Sequence, residues 1–126
     1  MLESTLEETL EGTWIPIAGE LRGEKIPGES LKRIRLVMTG DGYVLEVNNT
    51  AVDRGIIKLF RDADPKAMEI IGAEGPNKGR SIPAIYELTA DTLTICYNLE
   101  GESRPSEFKT EAGSQLYLVT YKHADA

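Results

Sequence analysis

The sequence predicts an all-β chain, an antiparallel eight-stranded up-and-down barrel preceded by a short N-terminal helix. Three observations lead there. From Thr13 onward, apolar and polar residues alternate with period two in short runs, as they do on a sheet with one buried face. Glycine, asparagine, aspartate and proline break those runs at nearly regular spacing. No helical pattern is long enough for the crossover of a dozen or more residues that parallel neighbours need, so the strands must be antiparallel. Eight such strands with one apolar face close naturally into a barrel, and a two-layer sandwich is the alternative arrangement. At 126 residues the chain makes one domain, read as a helix over 1–11, a barrel over 12–122 and a tail over 123–126.

The helix rests on Ser4 and Glu7, a capping-box pair, and on Leu2, Leu6 and Leu10, which recur every four residues; Gly12 ends it. Trp14 to Leu21 forms the first strand, which Pro16 marks as an edge or a bulge. Pro27 to Arg33 has room for one helical turn. Ile34, Leu36 and Met38 then alternate with polar or outward residues, and Gly40-Asp41-Gly42 turns the chain into Tyr43, Leu45 and Val47. Asn48-Asn49-Thr50 is the next turn. The fourth strand runs from Val52 to Phe60 with Gly55, Ile57 and Leu59 facing inward, and Met68 and Ile70 mark the fifth. Glu74 to Gly79 is a hairpin turn. Ser81 to Leu88, with Tyr86 inward, is the sixth strand; Leu93, Ile95 and Tyr97 alternate along the seventh. Leu99 to Gly113 is the longest loop, and Gln115 to Lys122 closes the set with Leu116 and Leu118 on one face and Tyr117, Val119 and Tyr121 on the other. Leu118 is taken as the inward residue.

Composition narrows the function. Fourteen lysines and arginines against 21 acids give a net charge of −7, which repels phosphate backbones, so no nucleic-acid partner is expected. A single cysteine, Cys96, excludes an internal disulfide framework, and a single histidine, His123 in the expected tail, excludes histidine-based triads and histidine-rich metal sites. No apolar run approaches a membrane span and no signal peptide is evident, so a soluble cytoplasmic protein is expected.

Glu11-Gly12-Thr13-Trp14, placed after a short helix and opening the first strand, resembles the Gly-x-Trp signature of the lipocalin superfamily. That resemblance implies that Trp14 closes one end of the barrel while a basic residue of the last strand lies across its ring. The matching position is Lys122, lysine standing where lipocalins usually carry arginine. Over nearly the whole chain, the successive pieces LEGTW, PKAMEI, EGPNKG, IYEL, DTLTICY and RPSEF are similar to the lipocalin-like domain family abundant in planctomycete bacteria. The similarity implies a small barrel of lipocalin type and no activity, since that family has no established ligand or reaction.

The candidate lining of the barrel is Met38, Tyr43, Leu45, Ile57, Met68, Tyr86, Ile95 and Leu118. Methionines and tyrosines together suit an adaptable apolar pocket with a few hydroxyls, and they suit a filled core equally well. Eight strands enclose a space just wide enough for side chains or one small ligand. Arg104, beside Pro105 in the long loop, is a candidate contact at the barrel mouth. Gly75 to Ser81 looks like a phosphate loop but lacks the lysine, the spacing and a following helix, so it reads as a hairpin. Asp62 and Asp64 lack the glycine and distal glutamate of a calcium loop. The expected function is a binding module for a small apolar or amphipathic molecule, with no cofactor, no metal and no catalysis. The alternative is a filled barrel serving as a structural or protein-interaction domain.

Overall fold

The computed structural model describes residues 10–101 and 103–124, so the helix expected over 1–11 lies almost wholly outside the described residues. The elements are β1 (Gly12–Leu21), β2 (Glu24–Lys25), α1 (Gly28–Leu31), β3 (Ile34–Thr39), β4 (Gly42–Val47), β5 (Thr50–Phe60), β6 (Ala67–Glu74), β7 (Ser81–Thr89), β8 (Thr92–Asn98) and β9 (Leu116–His123). Strand β2 is a two-residue return against the end of β1, and the remaining eight strands form the barrel. Each pairs antiparallel with its neighbour in sequence order, and β9 pairs back onto β1 to close the ring.

The turns explain the regular spacing. Val47 faces Thr50 across Asn48 and Asn49, both with positive φ (54° and 66°), the backbone that a two-residue hairpin of matching twist requires. Thr39 faces Gly42 across Gly40-Asp41, and the Gly40 N–H donates to Glu11 Oε2 at 2.7 Å. Within the strands the burial alternates as the period-two pattern demands. Along β5, Gly55, Ile57 and Leu59 turn inward while Arg54, Ile56, Lys58 and Phe60 face out.

Closure is keyed at one end of the barrel. Trp14 is buried, and its indole N–H donates to the Leu10 carbonyl at 2.8 Å. In the β1–β9 ladder Trp14 stands opposite His123, and Ile15 stands opposite Lys122. Residues directly opposite share a face, so the expected Trp14–Lys122 pair is replaced by Trp14–His123. The two rings meet edge to face with centroids 4.8 Å apart, while Lys122 is exposed. The tail expected from residue 123 therefore begins later: the His123 N–H donates to the Asp91 carbonyl and the Ala124 N–H to the Thr13 carbonyl. Gly12 makes the ring's position possible. Its φ is +123°, and a Cβ there would lie 2.3 Å from His123 Nε2.

Strand β1 serves two neighbours unequally. Its ladder with β3 holds only Gly12↔Met38, Thr13↔Val37 and Trp14↔Leu36, whereas its ladder with β9 runs on to Leu21↔Tyr117. Pro16 offers no N–H, and the irregularity between Pro16 and Ala18 leaves Ile17 unpaired and exposed. Beyond that point Ile26 and the buried Leu31 of α1 pack against Gly19.

The outside of the barrel carries a second apolar cluster of Ala67, Ile85 and Cys96, covered by Ala63, Phe108 and Leu118. Here the assignment of Leu118 to the interior is corrected. Ile95 pairs with Val119 and Cys96 with Leu118, so Val119 fills the core and Leu118 faces outward. Apolar residues on both faces of β9 leave its parity open until the partner is known. The outer cluster also draws the long loop down the outside wall. Pro105 is buried, and Arg104 lies over the Phe60 ring, 5.3 Å from its centroid, on the outer face of β5 rather than at the mouth. The Cys96 thiol donates to the Lys109 carbonyl at 3.7 Å, and burial pushes its pKa up.

Two outcomes test this account. Gly12→Ala is expected to lower the unfolding free energy by about 1–3 kcal/mol in a denaturant titration, with part of the loss recovered when His123→Ala removes the ring. A neutral Gly12→Ala variant overturns the close approach. Cys96 is expected to react with a thiol reagent only on unfolding, and Phe108→Ala to speed labelling of the folded chain roughly tenfold or more.

Candidate functional site

A cavity of about 130 Å³ lies inside the barrel. It reaches from Met38 and Met68 to Ile34, Leu99 and Tyr117, at the end where β3 and β9 begin and β8 finishes. Trp14 and His123 close the other end, so this one is the mouth. Of the lining expected from the sequence, Met38, Tyr43, Leu45, Ile57, Met68 and Ile95 are in the wall. Tyr86 is buried in the core without reaching the cavity, Leu118 faces the outside cluster, and Arg104 and Lys122 are on the exterior.

The wall also holds Asp53 and Asn77, which no motif marked, and three more tyrosines, Tyr97, Tyr117 and Tyr121. Asp53 is only 5% exposed and, among the described residues, is the one charged side chain in the wall. One signal for it was present: Asp53 shares the parity of Gly55, Ile57 and Leu59, the inward set of β5. Two irregularities flank it. On the β4 side Leu45 pairs with Asp53 but Glu46 with Ala51, and on the β6 side Arg54 pairs with Glu74 but Gly55 with Gly72. Such bulges re-aim side chains, and here they bracket the inward carboxylate.

The β6–β7 turn brings Asn77 to it. The turn folds back on its own strand: the Gly79 N–H donates to the Gly72 carbonyl at 3.0 Å, and the Gly72 N–H donates to the Arg80 carbonyl at 3.1 Å. Only glycine permits this packing, since a Cβ at Gly72 would stand 2.1 Å from the Asn77 carbonyl oxygen. Asn77 Nδ2 then donates to Asp53 Oδ2 at 2.9 Å, and the Tyr43 hydroxyl donates to the same oxygen at 3.1 Å. Asp53 Oδ1 is buried and receives no hydrogen bond from the described residues. Arg80 holds Asn77 from outside: it donates to Asn77 Oδ1 at 3.3 Å and to the Leu99 carbonyl, joining the turn to the start of the long loop.

Across the cavity the tyrosines form a second polar group. The Tyr97 and Tyr121 hydroxyls lie 3.0 Å apart, and the Tyr97 and Tyr117 rings stack at 5.5 Å. Burial, then the Asp53 charge and its hydrogen bond, push the Tyr43 hydroxyl well above the usual tyrosine range. Burial is the first cause for Tyr97, Tyr117 and Tyr121 as well, with neighbouring tyrosines adding to the rise at Tyr97 and Tyr121. All four stay protonated at any ordinary pH, each a hydroxyl able to donate and to accept. Among the described residues the arrangement is an apolar chamber with one carboxylate and four hydroxyls.

Among the described residues no three His, Cys, Asp or Glu side chains are grouped to hold a metal ion, and no helix is long and apolar enough to cross a membrane. Comparison with protein-family models, with curated proteins and with solved structures gives no match to this chain.

The raised hydroxyls set an alkaline limit. Unfolded tyrosine ionises near pH 10. Above that value the unfolded chain has lost protons that the folded chain keeps, so stability falls as pH rises until the folded values are passed. Below pH 10 these groups contribute no slope. Tyrosinate absorbance and loss of the barrel's circular dichroism are expected to appear together in one steep transition above pH 10. Ionisation of these tyrosines near pH 10 with the fold intact overturns the buried cluster.

Proposed function

We propose that the chain is a small-molecule binding barrel of lipocalin type and not an enzyme, its ligand a small amphipathic molecule held in the cavity. One observation carries this reading. The polar groups are not scattered over a filled core but converge on the space they enclose, with Asp53, Asn77 and four tyrosines in one cavity wall. Mostly apolar walls with a few placed polar groups are the ordinary make-up of a ligand site. The ordered pieces LEGTW, PKAMEI, EGPNKG, IYEL, DTLTICY and RPSEF support placing the chain beside the planctomycete lipocalin-like domains.

Size sets the class of ligand. A dry protein cavity of about 150 Å³ takes up benzene, and drug-sized sites begin near 300 Å³. A space of about 130 Å³ therefore suits a molecule of one ring or a short branched chain. The same figure favours the second reading, a filled barrel that meets a protein partner.

A panel of toluene, benzyl alcohol and benzylamine separates them by calorimetry and thermal shift. Saturable binding of at least one, lost in Leu45→Trp, is the expected outcome, with a stability gain of about 2.7 kcal/mol at a hundredfold excess over Kd. No saturable binding by any of the three overturns the binding module in favour of the filled barrel.

A further inference from the structure

We infer that the cavity selects a small neutral ligand with a hydrogen-bond-accepting oxygen, such as a ketone, and takes that oxygen at the tyrosine hydroxyls of its wall. The inference rests on the reading of the barrel as a binding module and adds the chemistry of its ligand. Four tyrosine hydroxyls line the cavity, and each has one proton to donate. The Tyr43 proton goes to Asp53 Oδ2, and one proton of the Tyr97–Tyr121 pair goes to the other member. Two protons stay unspent: the second of that pair, and that of Tyr117, whose hydroxyl has no hydrogen-bond partner among the described residues. The Tyr117 oxygen is not sealed as Asp53 Oδ1 is, and it keeps accessible surface.

The unspent donors stand together. Tyr97 and Tyr117 are opposite each other on β8 and β9 with their rings stacked 5.5 Å apart. Tyr121 follows on the same face of β9, its hydroxyl 3.0 Å from that of Tyr97. Tyr117 also makes both Tyr97 and Tyr121 harder to ionise, as a neighbouring hydroxyl does. A carbonyl oxygen has two lone pairs and no proton of its own, so it can take both unspent donors. The carbon body then lies against Met38 and Met68, which adapt to an irregular shape. Charged ligands are turned away. Asp53 Oδ2 already accepts from Tyr43 and Asn77, and Oδ1 is enclosed beside Gly75, so no carboxylate acceptor is open to an ammonium. An anion meets the Asp53 charge across a small space of low dielectric. A hydrocarbon fits the walls but leaves both donors unmet.

Isothermal titration of the whole chain with cyclohexanone, methylenecyclohexane, cyclohexylamine and cyclohexanecarboxylate tests the inference, the first two being of nearly equal shape. Water holds the ketone more firmly than the alkene, so a wall without open donors would prefer the alkene. Cyclohexanone is expected to bind roughly tenfold tighter than methylenecyclohexane, and the amine and the carboxylate to show no saturable binding. The infrared carbonyl band of the bound ketone is expected at the lower frequency of a hydrogen-bonded carbonyl, away from its position in alkane solution. Tyr117→Phe is expected to cut the ratio of ketone to alkene affinity roughly tenfold. An alkene bound as tightly as the ketone, a carbonyl band at the alkane position, a ratio unmoved by Tyr117→Phe, or saturable binding of the amine or the carboxylate each overturn the selection while the binding module stands. Silence from all four probes removes the module and the selection together. If Tyr117→Phe fails to fold, the ranking and the carbonyl band on the native chain decide alone.

Discussion

Everything in this molecule depends on the last strand meeting the first. A sheet of eight short strands left open would present two unpaired edges, and closure removes both. The cost falls on β1, which must pair with β3 at one end and follow β9 for the rest of its length. Pro16 and the irregularity beside it let the strand change allegiance, and the Trp14–His123 contact, seated on the bare Cα of Gly12, holds the junction. Trp14 is buried at this junction, against the His123 ring. Its partner sits one residue later than the Lys122 expected from the sequence resemblance, because strand parity decides which side chain shares its face.

With one end sealed, the chain's polar groups gather toward the other. Burying a carboxylate is expensive unless donors surround it. Here the donors come from three places: Tyr43 on β4, Asn77 on the β6–β7 turn, and Arg80 acting through Asn77. The turn reaches Asp53 only because Gly72 and Gly75 allow backbone to pass where a Cβ would collide. Gly75, which opens what looks like a failed phosphate loop in the sequence, is with Gly72 the means by which an amide is laid against a buried acid.

The barrel also uses its outer wall. Ala67, Ile85 and Cys96 form an apolar strip that the long loop covers with Phe108. That cover draws Arg104 onto Phe60 and away from the mouth, and it turns Leu118 into an outside residue. A strand with apolar residues on both faces, such as β9, carries two equally good inward patterns. Only the pairing Ile95↔Val119 chooses between them, and it admits Tyr117 and Tyr121 to the cavity in place of Leu118.

Period-two alternation and turn residues at short intervals determined the antiparallel barrel from the sequence alone, because those signals are local and repeat along the chain. They also placed Met38, Tyr43, Leu45, Ile57, Met68 and Ile95 in the wall, where each strand's own alternation is unambiguous. Asp53 was legible by the same parity, masked by its charge among 21 acids that mostly belong to solvated faces. The tertiary structure alone decided the rest: which ring meets Trp14, which face of β9 looks inward, where the long loop lies, and that Asn77 and Tyr43 converge on one carboxylate oxygen. Those outcomes depend on register between strands and on a turn folding back over the mouth. They join residues distant in sequence through close contacts, and no local pattern records them.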